Sequence, residues 1–157
     1  MLSTLLFTAF FIVNVFGGYP LLELSSTPRY ILVDLDKNWS DAQEYCEDYY
    51  DSDLATIISS NDLRDAFYLI DSNTWIGLND IKNGGKFEWV DGTPCFNAPN
   101  KVCSKDPNFA NNQPDNGKNI DNVDDEDCVW LNTDKEYTDE DCELKRNFLC
   151  NNPDYKW

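Results

Sequence analysis

The chain has 157 residues, the length of one domain, and sets 29 acidic against 12 basic side chains for a formal net charge of −17. That balance argues against nucleic acid and anionic membrane surfaces, since phosphate binding needs a basic face. There is no histidine, so the commonest general base and every Ser-His-Asp or Cys-His arrangement are missing, and no nucleophile–base pair suggests an enzyme.

Leu2 to Phe16 is almost wholly apolar and uncharged, and Gly17 and Gly18 follow it. A stretch of about 15 residues is short for a membrane span of about 20. It reads as a signal peptide over 1–17, with Val15 and Gly17 at the small-residue cleavage positions and a signal anchor as the alternative. The expected product is secreted and extracellular. Residues 18–28 read as a linker, 29–151 as the folded domain and 152–157 as a tail.

The cysteines are Cys46, Cys95, Cys103, Cys128, Cys142 and Cys150. An even count behind a signal peptide implies disulfides in an oxidising compartment. Zinc is the rival, but no pair is spaced Cys-x-x-Cys and histidine is absent. Asn38-Trp39-Ser40 is the only N-glycosylation sequon.

Tyr30 to Val33 is rich in β-branched and aromatic residues and predicts a strand. Ser40 with Gln43 suggests a capping box opening a helix, whose apolar face would be Trp39, Ala42, Cys46 and Tyr49. Leu54 to Ile57 is a short buried run. Ser59 with Asp62 opens a second helix bearing Leu63, Phe67 and Ile70. Thr74–Leu78 and Phe87–Val90 read as strands around an Asn83-Gly84-Gly85 turn. From Asp91 to Asp127 the chain is rich in Asn, Asp, Gly and Pro without periodicity, and a loop of that length in a compact domain is usually functional. Val129–Leu131 and Asn147–Cys150 close the domain. The order predicts an α+β fold.

These segments together resemble the C-type lectin-like domain family. The resemblance runs from about Tyr30 to Cys150. It is carried by Trp39 to Cys46, Asp53 to Ile57, Trp75-Ile76-Gly77-Leu78, Phe87 to Pro94, Asp127-Cys128-Val129 and Phe148-Leu149-Cys150. It implies two helices, small antiparallel sheets and a long calcium-binding loop, fastened by Cys46–Cys150 and Cys128–Cys142; those two pairings leave Cys95 and Cys103 as the expected third bridge, in the loop. The first bridge would close nearly the whole domain.

Sugar-binding members of that family hold Ca²⁺ in the long loop and ligate two vicinal hydroxyls of one sugar to it. Ca²⁺ takes six to eight oxygens, so protein ligands leave positions for the sugar. Each hydroxyl can then donate to a carboxylate and accept from an amide. Gln113-Pro114-Asp115 resembles the tripeptide of galactose-type members, with a cis proline implied. Glu126 and Asp139 match the family's next ligands, and Thr138 stands where the family has asparagine. The resemblance therefore implies that Gln113, Asp115, Glu126, Thr138 and Asp139 bind both metal and carbohydrate. Asn116 and Asp127 match positions of a second Ca²⁺ in some members, beside acidic Asp121, Asp124 and Asp125. The expected partners are glycans, galactose-like by preference.

Two departures favour other readings. Thr138 offers a hydroxyl, a weaker ligand than an amide carbonyl. Asn116-Gly117-Lys118 follows the tripeptide where galactose-type members carry a tryptophan that stacks on the sugar. The alternative is a lectin-like domain that binds a protein, mineral or ice surface. No coiled-coil or collagen-like segment supplies an oligomer, although a shallow single site would gain from one.

Overall fold

The computed structural model describes residues 27–82, 84, 86–93, 108–116 and 126–156. Helix α1 spans Trp39–Tyr50 and α2 spans Ser60–Phe67. The strands are β1 (Tyr30–Lys37), β2 (Thr74–Asn79), β3 (Glu88–Trp89), β4 (Cys128–Leu131), β5 (Tyr137–Glu140) and β6 (Arg146–Asn151). They form one six-stranded sheet in the order β1-β6-β2-β4-β5, with β3 also pairing to β2. The β2–β6 pair is parallel and the others are antiparallel. The fold is α+β as expected, but a single mixed sheet replaces the separate small antiparallel sheets of the prediction.

The pleat sorts side chains to two cores. Along β4, Val129 and Leu131 join a cluster with Ile76, Leu78, Trp89, Tyr137 and Leu149, to which α2 contributes Ala66. Cys128 and Trp130, on the other face, join Trp75, Phe148 and Cys150, covered by Trp39, Ala42 and Cys46 of α1. A strand covered on both sides has no solvent face, and every residue of β2 is buried. Gly77 is forced by this crowding: a Cβ there would lie 2.8 Å from the Leu54 carbonyl oxygen and 2.9 Å from Val90 Cγ1.

The start of α1 corrects the capping-box prediction. Asn38, in extended conformation, is the cap, and its side chain accepts the Asp41 N–H at 2.8 Å. Ser40 is already inside the helix and exposed. Gln43 turns inward instead of back: its Oε1 accepts the buried Leu54 N–H at 2.9 Å, and its Nε2 donates to Glu47 and Asp53. Trp39, Ala42, Gln43 and Cys46 make the buried face. Tyr49 does not join that face: it is 69% exposed and stacks on Tyr45. The helix ends where Asp51 takes a left-handed conformation, and its N–H and that of Ser52 return to the Glu47 and Cys46 carbonyls.

The second helix begins at the predicted cap, with Ser59 Oγ accepting the Asp62 N–H. It stops at Phe67, so Ile70 packs from the following turn. The Leu54–Ile57 run is buried throughout. Cys46–Cys150 ties α1 to β6, and Cys128–Cys142 ties β4 to the turn after β5. Cys95 and Cys103 lie outside the described residues, as do Asn83 and Gly85 of the predicted turn and the whole of 1–26. The segment after β6 is held too: Asn152 bonds to the Arg29 and Pro28 carbonyls, and Tyr155 OH accepts from Arg29. Among the described residues no helix is long and apolar enough to cross a membrane.

Candidate metal centre

The prediction missed β5 because Tyr137-Thr138-Asp139-Glu140 has a single large apolar residue. Its signal is positional, a tight turn after β4. Asn132 Oδ1 accepts the Asp134 and Glu136 N–H groups, and Lys135 takes a positive φ. The ladder then sets Leu131 opposite Tyr137, Trp130 opposite Thr138 and Val129 opposite Asp139. Paired residues share a face, so Asp139 stands on the Val129 side and Thr138 on the Trp130 side.

The outer edge of β5 is met by residues 108–110. Tyr137 N–H donates to the Asn108 carbonyl at 2.7 Å, and Ala110 N–H donates to the Tyr137 carbonyl at 2.9 Å. Phe109 fastens the segment, edge-on to Phe87 and Tyr137 at ring-centroid distances of 5.4 and 5.8 Å. A turn follows, closed by the Gln113 N–H on the Ala110 carbonyl, and the Gln113–Pro114 bond is cis, as the resemblance implied.

This turn delivers residues 115 and 116 to Asp139. Asp139 Oδ1 accepts the Asp115 N–H at 3.2 Å and Oδ2 accepts the Asn116 N–H at 2.9 Å. Asp139 is 1% exposed. Burial pushes its carboxyl above the usual range, and the neighbouring Asp115 charge adds to the rise. The N–H bonds from Asn116, Asp115 and its own backbone act in the opposite direction.

Oxygens of Asp115, Glu126 and Asp139 all lie within 4.8 Å of one another. Gln113 Oε1 is buried and has no hydrogen-bond partner among the described residues. Three carboxylates this close repel one another, and an orphaned buried acceptor costs about 1–3 kcal/mol. A hard divalent cation among the three carboxylates would relieve their repulsion, and a ligand role for Gln113 would satisfy its oxygen. The donor set is wholly oxygen, which suits Ca²⁺ and not a metal that prefers sulfur or nitrogen. The residues fit the ion that the resemblance implied.

The remaining expected residues are placed as follows. Thr138 is half-buried in β5. Asn116 has a positive φ and gives Asp139 its backbone N–H. The Asp127 carbonyl accepts the N–H of Asp80, itself 1% exposed at the end of β2. Asp121, Asp124 and Asp125 lie outside the described residues, as do Gly117 and Lys118. Sequence reasoning missed the grip of Asp139 on residues 115 and 116, because a backbone donor leaves no mark on residue type.

Comparison with known proteins places the chain in a family. The model of the lectin C-type domain matches residues 35–152. Lectin BRA-3 of Megabalanus rosa is 30% identical over 121 residues, covering 73% of this chain and 65% of that protein. Human asialoglycoprotein receptor 2 is 30% identical over 118 residues, again 73% of this chain but 34% of the receptor. The chain thus spans less than two thirds of these relatives' lengths. Among solved structures, the trimeric Kupffer cell C-type lectin receptor Clec4f superimposes with a TM-score of 0.66 at 25% identity, over 81% of this chain and 80% of that one. A calcium-independent type II antifreeze protein shares the fold, with a TM-score of 0.62 at 20% identity over 77% and 82% of the two chains.

Proposed function

The chain belongs to the C-type lectin domain family, and from that premise we propose that it is a secreted, calcium-dependent carbohydrate-binding protein that prefers terminal galactose-like sugars. The observation that carries the reading is the gathering of Asp115, Glu126 and Asp139 within 4.8 Å, with, two residues before Asp115, a buried Gln113 amide oxygen that has no hydrogen-bond partner among the described residues. Gln113, Asp115, Glu126 and Asp139 would hold Ca²⁺, with Thr138 adding its hydroxyl at the edge of β5. When bound, the ion supplies open coordination positions for two vicinal hydroxyls of one sugar. The carboxylates accept hydrogen bonds from those hydroxyls, and the Gln113 amide donates one. The order Gln113-Pro114-Asp115 supports galactose over mannose. Asn116 and Asp127 are the proposed residues of a second Ca²⁺ site.

The domain acts by binding and not by catalysis in this reading. Secretion rests on the apolar segment before Gly17. Partners are glycans, with neither nucleic acid nor membrane insertion involved.

A second reading is favoured by the sequence after the tripeptide. Asn116, Gly117 and Lys118 offer no ring to stack on a sugar, and Thr138 stands on the Trp130 side of the pleat, away from Asp139. That combination suits a lectin-like domain binding a protein, mineral or ice surface. Retention of the disulfide-intact protein on immobilised galactose and on mannose, with Ca²⁺ and then with chelator, separates the two. Chelator-reversible retention on galactose is the expected result. Retention on neither sugar, with Ca²⁺ still bound, favours the second reading.

A further inference from the structure

The fold assigns a role to only half of the Asn38 carboxamide. Its oxygen caps α1 by accepting the Asp41 N–H at 2.8 Å. Its nitrogen, Nδ2, makes no hydrogen bond among the described residues, and Asn38 is part-exposed in extended backbone with φ −65° and ψ 166°. Two positions on, Ser40 is exposed, so the hydroxyl that completes the sequon Asn38-Trp39-Ser40 is on the surface as well. Trp39 between them points the other way. It is 5% exposed, and its Nε1–H donates to the Ile76 carbonyl.

We propose that Asn38 is an N-glycosylation site. The inference rests on the secretion reading, because the modification occurs on chains that enter the secretory lumen. The donor class is a polyprenyl-diphosphate-linked oligosaccharide. Nδ2 attacks the anomeric carbon and a C–N bond forms. The bond from that carbon to the diphosphate oxygen breaks, the electron pair leaves with the diphosphate, and the proton lost from Nδ2 passes to base. The amide keeps its carbonyl oxygen, so the helix cap survives, and the glycan leaves from the atom with no other partner among the described residues. Ordinary side-chain capping uses the same oxygen, which is why a cap and a glycan can share one residue.

The test expresses the full chain in cultured eukaryotic cells in two arms. One keeps its own first 17 residues, and the other replaces them with an established secretion leader. The expected result in both is a mobility shift removed by N-glycosidase, with heavy-oxygen label appearing at residue 38 as the enzyme converts Asn to Asp. Asn38→Asp retains a capping oxygen and should lose the shift while remaining folded. Ser40→Ala should lose it without touching the cap. A protein that leaves the leader arm secreted, disulfide-bonded and unshifted overturns the site. A shift in the leader arm alone supports the site and sinks the secretion reading, so the two failures are distinct.

Discussion

The carboxylate of Asp139 receives the Asn116 backbone N–H at 2.9 Å across 23 positions of chain. With the Asp115 N–H on its other oxygen, Asp139 both offers charge to a cation and fixes the turn that carries Asp115. Replacing it therefore removes more than one ligand. Asp139→Ala is expected to abolish Ca²⁺ binding in a calorimetric titration and to loosen residues 113–116. The backbone N–H groups it frees can turn to water, so the loss of global stability should be small, about 1–3 kcal/mol by denaturant unfolding. An unchanged titration would place the ion elsewhere.

The acid–base behaviour of the site follows from the same burial. The Asp139 carboxyl is raised in the folded protein, first by desolvation. A carboxyl raised on folding makes a metal-free fold relatively more stable below its unfolded pKa, about 3.9, and that contribution is lost as pH rises through the folded value. Ca²⁺ demands the deprotonated form, so its binding has the opposite slope. Calcium affinity should begin to fall at a higher pH than an ordinary aspartate would dictate. Titrations across descending pH check this, and affinity unchanged until well below 3.9 would contradict it.

The two resolved bridges should differ in worth because they close different lengths of chain. Cys46–Cys150 spans 104 positions and Cys128–Cys142 spans 14. The chain-entropy model gives about 4.7 kcal/mol for a loop near 100 residues and about 3 for one near 15. Paired Cys→Ala replacement of the long bridge should therefore be the more damaging by denaturant unfolding. Equal losses would show that native packing around the cysteines, all buried save Cys142, outweighs the closure entropy.

Gly77 can be tested without touching the site. The carbonyl of Leu54 and the side chain of Val90 leave no room for a methyl group, and Gly77 N–H donates to the Ala55 carbonyl at 2.9 Å. Gly77→Ala should push Leu54 and Val90 off the sheet and destabilise the domain by about 1–3 kcal/mol. A variant as stable as the parent would mean the neighbouring segment yields freely.

The sequence revealed most where burial and residue type coincide. Trp75 to Leu78, Leu54 to Ile57 and the half-cystines were legible because apolar side chains and bridges leave a mark on composition. The proximity of Asp115, Glu126 and Asp139 is suggested in the sequence only by the family resemblance, since nothing in their local pattern marks them as neighbours. What escaped was set by hydrogen bonds that residue type does not encode. A capping box puts Gln43 back towards Ser40, whereas Gln43 satisfies the Leu54 N–H inside the fold. Strand β5 was unread because its ladder needs Tyr137 and the partner strand, not a hydrophobic run.

Thr138 offers the sharpest test of the sugar site. It pairs with Trp130 while Asp139 pairs with Val129, so the two side chains leave β5 on opposite faces. β5 is the terminal strand of the sheet path, with residues 108–110 against its outer edge. A threonine hydroxyl is one bond from Cβ, whereas an asparagine carbonyl oxygen is two bonds away and a stronger ligand for a hard cation. Thr138→Asn should therefore raise Ca²⁺ affinity, on the order of tenfold or about 1.4 kcal/mol, and lengthen retention on galactose, with no change in unfolding midpoint. Improved retention would mean that Thr138 limits a site already built for sugar. An unchanged titration would remove Thr138 from the ligand set and leave Gln113, Asp115, Glu126 and Asp139 to hold the ion.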